Sequence, residues 1–523
     1  MTYVGRIASD PRGRTGLLVG ALAMVFAILV AYLASLIGFT FAPDALAQSI
    51  IEVLPGAIAV PLIELLQFWA KRLLVAGVLI AFVACGAQAG ALATDPRRRD
   101  RAVVAVGAAP WLITILLSQL FAGSKVDLPS ILLTGSIGAA AFLLALQLLS
   151  GAAAYQPPDA RTAEASPSRR RALVGAAAFA AVIAVASVGF GSTVRASLRK
   201  TESIRLAVRH LRPGNAAVVR PETPEFRGIA SLSPRITENA SFYTIDTTLI
   251  KPTVDAAKWR LDIGGAVDAP YTLTYDELLD LEAVEQLKTL ECISNNVGGD
   301  LMSTALFTGV PLRDLLVRAK PKSDAFKVKL TSVDGYTDSI RIAKALEPDS
   351  VVAYLMNGYA LPEDHGFPAR LLVPDIYGMK NVKWLRAIEV VATDYQGYWM
   401  QRGWSDSAII NTNTRIDTPA ALRTISGITT IAGVAFAGAR GIRSVEVSTD
   451  GGGSWQPATL EAALGTLTWV RWKLDWSPPK AGKYKVLARS TDGTGALETA
   501  IRREPFPSGA TGYDAIEVSV QPG

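Results

Sequence analysis

The sequence predicts a chain of three parts: an N-terminal α-helical membrane domain, a mixed α+β domain and a C-terminal all-β sandwich. Long apolar runs lie before residue 192, strand-like alternation mixes with helix-start signals in the middle, and period-two patterns separated by turns follow residue 420. We therefore place the membrane domain at 1–192, a linker at 193–227, the α+β domain at 228–417 and the sandwich at 420–523.

Five runs in the first part are long enough to span a membrane, which takes about 20 apolar residues. Basic clusters stand in alternate loops, and basic loops stay in the cytoplasm. Five spans therefore put the N-terminus inside and everything after Phe190 outside the cytoplasm. Ala45–Trp69 is also apolar, and a sixth span is one interpretation of it. Because it carries acids and prolines, we favour an interfacial or re-entrant segment. The predicted spans are Leu17–Phe39, Leu73–Ala93, Ala102–Phe121, Ile131–Ala153 and Ala172–Phe190.

The basic cluster before the fifth run has two interpretations. Ser168-Arg169-Arg170 followed by an apolar run is typical of a twin-arginine export signal placed inside the chain. A stop-transfer segment has the same basic cluster. The residues of this segment do not separate the two interpretations.

Charge and composition exclude several classes of function. The formal net charge is +6, but the basic residues stand mostly beside the apolar runs, so we expect no nucleic-acid partner. The predicted spans contain no histidine, which excludes a haem held by two span histidines. The chain has no C-x-x-C-H motif, which excludes a c-type haem.

The chain has two cysteines, so it has no disulfide framework. Cys85 lies inside an apolar run and is expected to be plain packing. Cys292 lies between a β-rich run (LKTLECI) and a turn rich in asparagine and glycine. A thiolate at such a strand end can be a nucleophile or a metal ligand. A buried structural cysteine is the alternative.

Two long motifs carry a resemblance to a known family. Cys-x-x-Asn at Cys292, then Gly-Gly and F-x-G-V-P-L-x-D-L-L, resembles the molybdenum-binding core of the sulfite oxidase family. His365–Leu385 (HGFPARLLVPDIYGMKNVKWL) resembles that family's cofactor-phosphate segment. The resemblance runs from about Phe226 to the C-terminus. It implies a sulfite-oxidase-type molybdopterin domain, an immunoglobulin-like dimerisation-type domain, and Cys292 as the molybdenum ligand.

The resemblance also implies which residues contact the cofactor. Arg370 offers a planar fork of donors to a phosphate. Lys380 and Lys383 add charge, and Gly378 permits close backbone approach. Tyr336, after an Asp-Gly turn, is the candidate for a tyrosine that helps proton movement at the metal, and so joins Cys292 as a catalytic residue. The implied cofactor-binding residues are Asn239, Tyr243, Thr244, Ser332, His365, Arg370, Asn381, Val382 and Lys383.

Several of these residues also have a structural interpretation. Phe242 and Tyr243 are equally expected as strand core, and Ser332 as a surface hydroxyl. His365 stands five residues before Arg370 in one motif, which favours a role at the cofactor over a purely structural one.

One position departs from the family pattern. Relatives follow the metal cysteine with Ala-Gly-Asn-Arg, and that arginine helps bind the oxyanion, whereas this chain has Asn296 there. The small-molecule substrate is therefore open among sulfite, a sulfoxide and another S- or N-oxide.

Without a haem motif, electrons must pass to or from a separate carrier or a quinone. The resemblance of the C-terminal part to the family's dimerisation domain makes a dimer one expectation, and packing against the α+β domain without a dimer is the alternative. The alternative function is a non-catalytic membrane sensor or scaffold with a degenerate enzyme domain. A scaffold, however, has no use for both Cys292 and Arg370.

Overall fold

The computed structural model describes residues 11–35, 39–54, 69–93, 101–122, 128–153, 222–248 and 251–521, together with residues 58, 62 and 66. Contacts divide the chain into two compact units, residues 1–203 with 248–250 and residues 204–247 with 251–523. The fifth predicted span, the twin-arginine segment and most of the predicted linker lie outside the described residues.

The first unit is helical. Four of its described helices are long and apolar enough to cross a membrane, and they confirm the first four predicted runs as helices. A shorter amphipathic helix covers the start of the segment that we interpreted as interfacial. The helices are α1 (Pro11–Ser35), α2 (Ala42–Val53), α3 (Trp69–Ala93), α4 (Arg101–Leu117, continued by a π-helical turn at Ser118–Ala122) and α5 (Leu128–Ala153).

Glycines let α1 and α3 approach closely. A Cβ atom on Gly20 would lie 2.8 Å from the Cα atom of Gly90, so the two backbones are nearly in contact. Such small-residue contacts are typical of helix pairs in membranes. Phe82 and Trp111 are buried and meet edge to face at 5.0 Å. Leu112, the residue after Trp111, is 61% exposed, so the helix bundle has apolar side chains on its outer surface as well as in its core.

The first part of the second unit contains two sheets. Its strands are β1 (Arg260–Gly265), β2 (Tyr271–Thr274), β3 (Val284–Glu291), β4 (Met302–Pro311), β5 (Lys327–Ser332), β6 (Thr337–Arg341), β7 (Val351–Met356), β8 (Tyr359–Ala360), β9 (Arg370–Leu372) and β10 (Leu385–Val391). One sheet has the order β2-β1-β10-β5-β6, with β1 and β10 parallel. The other is antiparallel, with the order β3-β4-β7-β8 and β9 also on β7.

Local signals explain the short helices α6 (Tyr275–Leu279), α7 (Leu312–Ala319) and α8 (Ile342–Ala345). The predicted capping box is confirmed, because the Thr274 side chain accepts from the Glu277 amide and the Glu277 carboxylate accepts from the Thr274 amide. Pro311 caps α7, where no amide hydrogen is needed. Gly335, with φ of 82°, closes the predicted turn between β5 and β6.

The C-terminal part is all β, as the period-two patterns predicted. Its strands are β11 (Asn413–Thr418), β12 (Thr424–Ile425), β13 (Thr429–Phe436), β14 (Ile442–Ser448), β15 (Gln456–Pro457), β16 (Thr459–Leu460), β17 (Val470–Trp476), β18 (Gly482–Asp492) and β19 (Asp514–Val520). They form a four-stranded sheet, β11-β13-β17-β16, and a five-stranded sheet, β12-β19-β18-β14-β15. Trp472 and Trp476 share one core cluster with Val447 and Val486, so side chains of both sheets pack together.

The second unit joins its two parts at strand β3. This strand lies at the end of its sheet, so one of its edges lacks a partner strand. There the Thr289 amide donates to the carbonyl of Leu467 at 2.9 Å, and the Trp469 amide donates to the Thr289 hydroxyl at 2.8 Å. The C-terminal part thus covers the free edge of the strand that leads to Cys292.

Candidate active site

Cys292 follows β3 directly and opens a tight turn. Its amide donates to the Leu301 carbonyl, and its own carbonyl accepts from the Asn295 amide, each at 3.0 Å. The thiol is buried, with Sγ 3.0 Å from the Ser294 hydroxyl. Burial raises the pKa of the Cys292 thiol, and the contacts with Ser294 oppose that shift. A thiolate here therefore needs a nearby cation, which a coordinated metal supplies.

The residue before Cys292 anchors this turn from the other face of β3. The buried Glu291 carboxylate accepts from Asn295 at 3.1 Å and from Asn413 of β11 at 3.0 Å. Burial raises the pKa of Glu291 to about 7. Arg415 of β11 also donates to the Gly299 carbonyl at 3.0 Å. Side chains of the C-terminal part thus hold the turn that carries Cys292.

Arg370 on β9 is buried without a carboxylate contact. Its Nη1 donates to the His365 carbonyl at 3.2 Å and its Nη2 to the Asn381 carbonyl at 3.4 Å. Its Nε has no hydrogen-bond partner. Burial lowers the pKa of Arg370 to about 10, so the guanidinium stays charged at neutral pH. A buried charge with an unsatisfied donor is the arrangement that an anionic ligand completes.

His365 is also buried, and its ring makes a hydrogen bond within the protein. Burial lowers the pKa of His365 to about 4, so the ring is neutral at pH 7. Its Nε2 lies 2.8 Å from the Asn239 carbonyl and therefore carries the donated hydrogen. The Asn239 amide group donates to the Met356 carbonyl and accepts from Asn357. The structure thus links two predicted residues, with His365 holding the Asn239 backbone.

Residues 381–383 pack beside Arg370. The Lys383 ammonium pairs with Asp246 and donates to the Asp364 carbonyl at 3.0 Å. The Val382 carbonyl accepts from the amide of Leu371 on β9 at 2.8 Å. The Asn381 side-chain oxygen accepts from the Val373 amide at 2.8 Å. The predicted phosphate segment is therefore one connected piece of structure.

Tyr243 connects this segment to the cysteine. A Cβ atom on Gly378 would lie 2.7 Å from the Tyr243 hydroxyl and 3.2 Å from the Glu291 carbonyl, so all three meet where β3 ends. Desolvation, then the charge of Cys292, raise the pKa of Tyr243 well above its usual range. Thr244, next in the chain, is exposed.

Tyr336 and Ser332 lie on the turn between β5 and β6. The Tyr336 hydroxyl is 2.9 Å from the Asp338 carboxylate and 2.9 Å from the Met379 carbonyl, and burial raises its pKa well above the usual range. Ser332 is 1% exposed, so its alternative interpretation as a surface hydroxyl is wrong. Its amide donates to the Tyr336 carbonyl at 2.9 Å.

Lys380 corrects one interpretation of the sequence. We counted its charge with that of Lys383 towards a phosphate. Its ammonium instead lies 3.0 Å from Asp338 and 3.2 Å from Asp406, and both Lys380 and Asp338 are buried. Carboxylates therefore neutralise this lysine, which leaves it a structural role beneath Tyr336.

Lys288 is a residue that sequence reasoning missed. It is 2% exposed on β3, four residues before Cys292, so strand alternation puts the two on one face. Its ammonium reaches Asn381 Oδ1 at 3.4 Å. A lysine four residues before the cysteine, in the same β-rich run, was the available signal.

Comparisons with known proteins bear on both parts of the second unit. Residues 248–399 match the model of the oxidoreductase molybdopterin binding domain, and residues 402–501 match that of the Mo-co oxidoreductase dimerisation domain. Mitochondrial sulfite oxidase of Macaca fascicularis is 31% identical over 299 residues, which are 48% of this chain and 54% of the relative. Over these residues the chain is similar to the sulfite oxidase family.

Other known proteins are similar over much the same part. A nitrate reductase of Hordeum vulgare that uses NAD(P)H is 30% identical over 314 residues, which are 48% of this chain and 34% of the relative. The sulfane dehydrogenase SoxCD from Paracoccus pantotrophus aligns with 58% of this chain and 91% of its own, at 21% identity and a TM-score of 0.49. The chain thus spans about half the length of the sulfite oxidase and about a third of the length of the nitrate reductase.

The oxidoreductase domain of this family binds molybdenum–molybdopterin, and the residues present fit that group. Cys292 supplies a thiol at one end. Arg370 supplies a buried charge with an unsatisfied Nε at the other end. Gly378 packs against the Tyr243 hydroxyl and the Glu291 carbonyl, which leave no room for a side chain there. The donor set therefore matches a ligand with a soft metal at one end and an anion at the other.

Proposed function

We propose that this chain is a membrane-anchored molybdopterin-dependent oxidoreductase that transfers an oxygen atom, with two electrons, at an extracytoplasmic site. The substrate is a small oxyanion or an S- or N-oxide. The proposal rests on the presence of two buried groups in one domain. One is the Cys292 thiol, and the other is the Arg370 guanidinium, whose Nε has no hydrogen-bond partner among the described residues. A degenerate domain in a sensor or scaffold has no need of both a metal ligand and a phosphate-binding arginine.

The bound cofactor supplies the redox chemistry, in which a metal cycles by two electrons while an oxygen atom moves to or from the substrate. The chain's residues bind and orient it. Cys292 would hold the metal, and Arg370 with Lys383 would hold the phosphate. Tyr336 donates within a buried hydrogen-bond group and is the proposed proton-handling residue. Asn239, Tyr243, Thr244, Ser332, His365, Asn381 and Val382 are proposed to complete the cofactor site.

The turn that carries Cys292 favours a substrate that needs no positively charged side chain beside the cysteine. Between Ile293 and Leu301 the turn has no basic residue, and Asn296 stands where the family pattern has arginine. Sulfoxides and N-oxides need a hydrogen-bond donor more than a full positive charge. Sulfite remains in the proposed class because Arg402 is a proposed substrate-facing residue. Arg402 stacks on Tyr398 at 3.6 Å, and the Tyr398 ring centre lies 5.8 Å from that of Tyr336.

Membrane anchoring is supported by the four long apolar helices with exposed leucines such as Leu112. Four spans return the chain to the side where it began. The apolar run at 172–190 would be a fifth span and would carry the enzyme across. The Arg169–Arg170 pair before it would direct export of an already folded and loaded domain.

Electron transfer is proposed to use a separate carrier or the quinone pool, since the described spans hold no histidine for a haem. The C-terminal part is proposed to be an immunoglobulin-like sandwich, on the support of its two sheets and shared core. Its match to a dimerisation domain supports a proposed dimer.

The first test is the molybdenum and pterin content of the purified full-length protein. We expect stoichiometric metal and pterin in the wild type, and loss of the metal or an altered metal spectrum in Cys292→Ser. Cys85→Ser is the matched control and should keep both, because Cys85 lies in helix α3. A correctly exported wild type without metal would refute the enzyme and leave the scaffold alternative.

A further inference from the structure

The charges around Arg370 do not balance. Lys288, Arg370 and Lys383 are three cations close to Asn381, and Asp246, paired with Lys383, is the one carboxylate that forms an ion pair with any of them in the described part of the chain. Counted within ion-pair distance, three positive charges and one negative charge leave an excess of two, while Asp349 and Asp375 attract Lys288 from farther away. Lys288 and Arg370 are both at least 95% buried, so water does not solvate this excess.

Lys288 is poorly satisfied where it stands. Its ammonium has three hydrogens, and its hydrogen bond is a long one, 3.4 Å to Asn381 Oδ1. That oxygen already accepts from the Val373 amide at 2.8 Å. Burial, followed by the charge of Arg370, lowers the pKa of Lys288 well below its usual range. Two facing cations in a low-dielectric interior are costly unless an anion joins them.

The neighbours of Lys288 on β3 show which way it faces. Thr289 and Glu291 contact the C-terminal part, through Trp469 and Asn413 respectively. Residues alternate in a strand, so Lys288 and Cys292 share the opposite face. They are four residues apart, which is about 13 Å along an extended strand.

We infer that Lys288 is a cofactor-holding residue that binds the anionic phosphate end of molybdopterin together with Arg370. This inference rests on the proposed function, because it needs molybdopterin at this site. A phosphate monoester carries a charge of about −1.5 to −2 at neutral pH, which matches the excess of two positive charges. Asn381 would orient the lysine, since its side chain is already held by Val373 and by the carbonyl of Tyr377.

The test compares loaded and unloaded full-length protein, the latter made in a host that cannot synthesise molybdopterin. Lys288→Met removes the charge and keeps the length of the side chain. We expect unloaded Lys288→Met to melt a few degrees above unloaded wild type, because a buried amino group with one long hydrogen bond is gone, which is costly whether charged or neutral. We expect the loaded variant to melt below loaded wild type and to retain pterin roughly tenfold less well, the effect of one charge-assisted bond.

Lys327→Met is the matched control. Lys327 is an equally buried lysine, but Asp394 and Asp406 pair with it, each at 2.7 Å. Its loss should lower the melting temperature of loaded and unloaded protein alike. Lys288→Arg keeps the charge and should restore most of the pterin retention.

Two outcomes would overturn the inference in different ways. If Lys288→Met lowers both melting temperatures equally and retains pterin as the wild type does, Lys288 is a structural lysine and the proposed function stands. If the exported wild type itself holds no pterin, the proposed function fails and this inference fails with it.

Discussion

Glu498 shows at the scale of one residue how burial controls protonation. It lies in the C-terminal part and is 3% exposed. One carboxylate oxygen accepts from Thr414 at 2.6 Å and from the Ser490 amide at 2.9 Å, while the other has no partner. Burial raises the pKa of Glu498 from 4.5 to about 8. The folded protein thus holds a proton that the unfolded chain releases above pH 4.5.

This shift makes stability depend on pH. The stabilising contribution of the protonated group is complete below pH 4.5 and is lost as the pH rises towards 8, by about 1.4 kcal/mol per pH unit. We predict that Glu498→Gln, which does not ionise, reduces the fall in melting temperature between pH 5 and pH 8.5, measured by thermal unfolding.

Glu461→Gln serves as the control for that measurement. Glu461 is equally buried but pairs with Arg471 at 2.6 Å, so the substitution should lower the melting temperature at both pH values. An unchanged pH dependence in Glu498→Gln would contradict the assignment of the shift to this carboxyl.

Lysines show what sequence could and could not predict at this scale. The motif around Arg370 marked Lys380 and Lys383 as charges near a phosphate, and the structure sends Lys380 to Asp338 instead. It also brings in Lys288 from another strand. The sequence shows the position of a charged residue in the chain. Its ion-pair partner can come from an element far along the chain, as Asp338 does for Lys380.

At the scale of elements, local signals predicted well. The box at Thr274 and Glu277 and the turn at Gly335 depend on neighbours a few residues away, so the sequence contains their cause. Within the described residues, the first predicted span, Leu17–Phe39, is helical over Leu17–Ser35.

The hold of β11 on the cysteine turn gives a prediction for one element. Asn413 donates to the buried Glu291 carboxylate, and a hydrogen bond to a charged group contributes about 1.5–3 kcal/mol. We predict that Asn413→Ala loses about that much stability in chemical unfolding at pH 8.5, above the pKa of Glu291, where its carboxylate is charged. It should also release molybdenum faster during dialysis, because the turn carrying Cys292 is loosened.

Asn411→Ala is the control on the neighbouring segment. Its side chain donates to the carbonyls of Ser508, Gly509 and Ala510 rather than to the cysteine turn. It should lose stability with unchanged molybdenum retention. Equal metal loss from both variants would mean that the effect is general and not due to the turn.

At the scale of the whole molecule, composition alone separated the apolar helical unit from the two sheet-rich parts. The pairing of strands was beyond the sequence, because β1 joins β10 across more than a hundred residues. Alternation identifies a strand, but its neighbours depend on contacts that only the folded chain makes.

Sidedness is the prediction that belongs to the whole chain. With five spans and an export signal, protease added to spheroplasts should degrade the second unit. Replacing Arg169 and Arg170 together by lysine should protect it, because the domain then stays in the cytoplasm. Replacing Arg97 and Arg98 by lysine is the matched control and should leave it exposed. Protection of the wild-type domain would contradict the proposed location.

The contact between Thr289 and the segment Leu467–Trp469 has a consequence for how such chains evolve. The two matched domains meet in sequence between residues 399 and 402, where recombination could divide them. The strand that leads to the metal ligand nevertheless has its outer edge covered by the second domain. A protein with the first domain alone would expose that edge of β3, and the exposed edge could pair with the same strand of a second copy. The two modules are therefore expected to be inherited together.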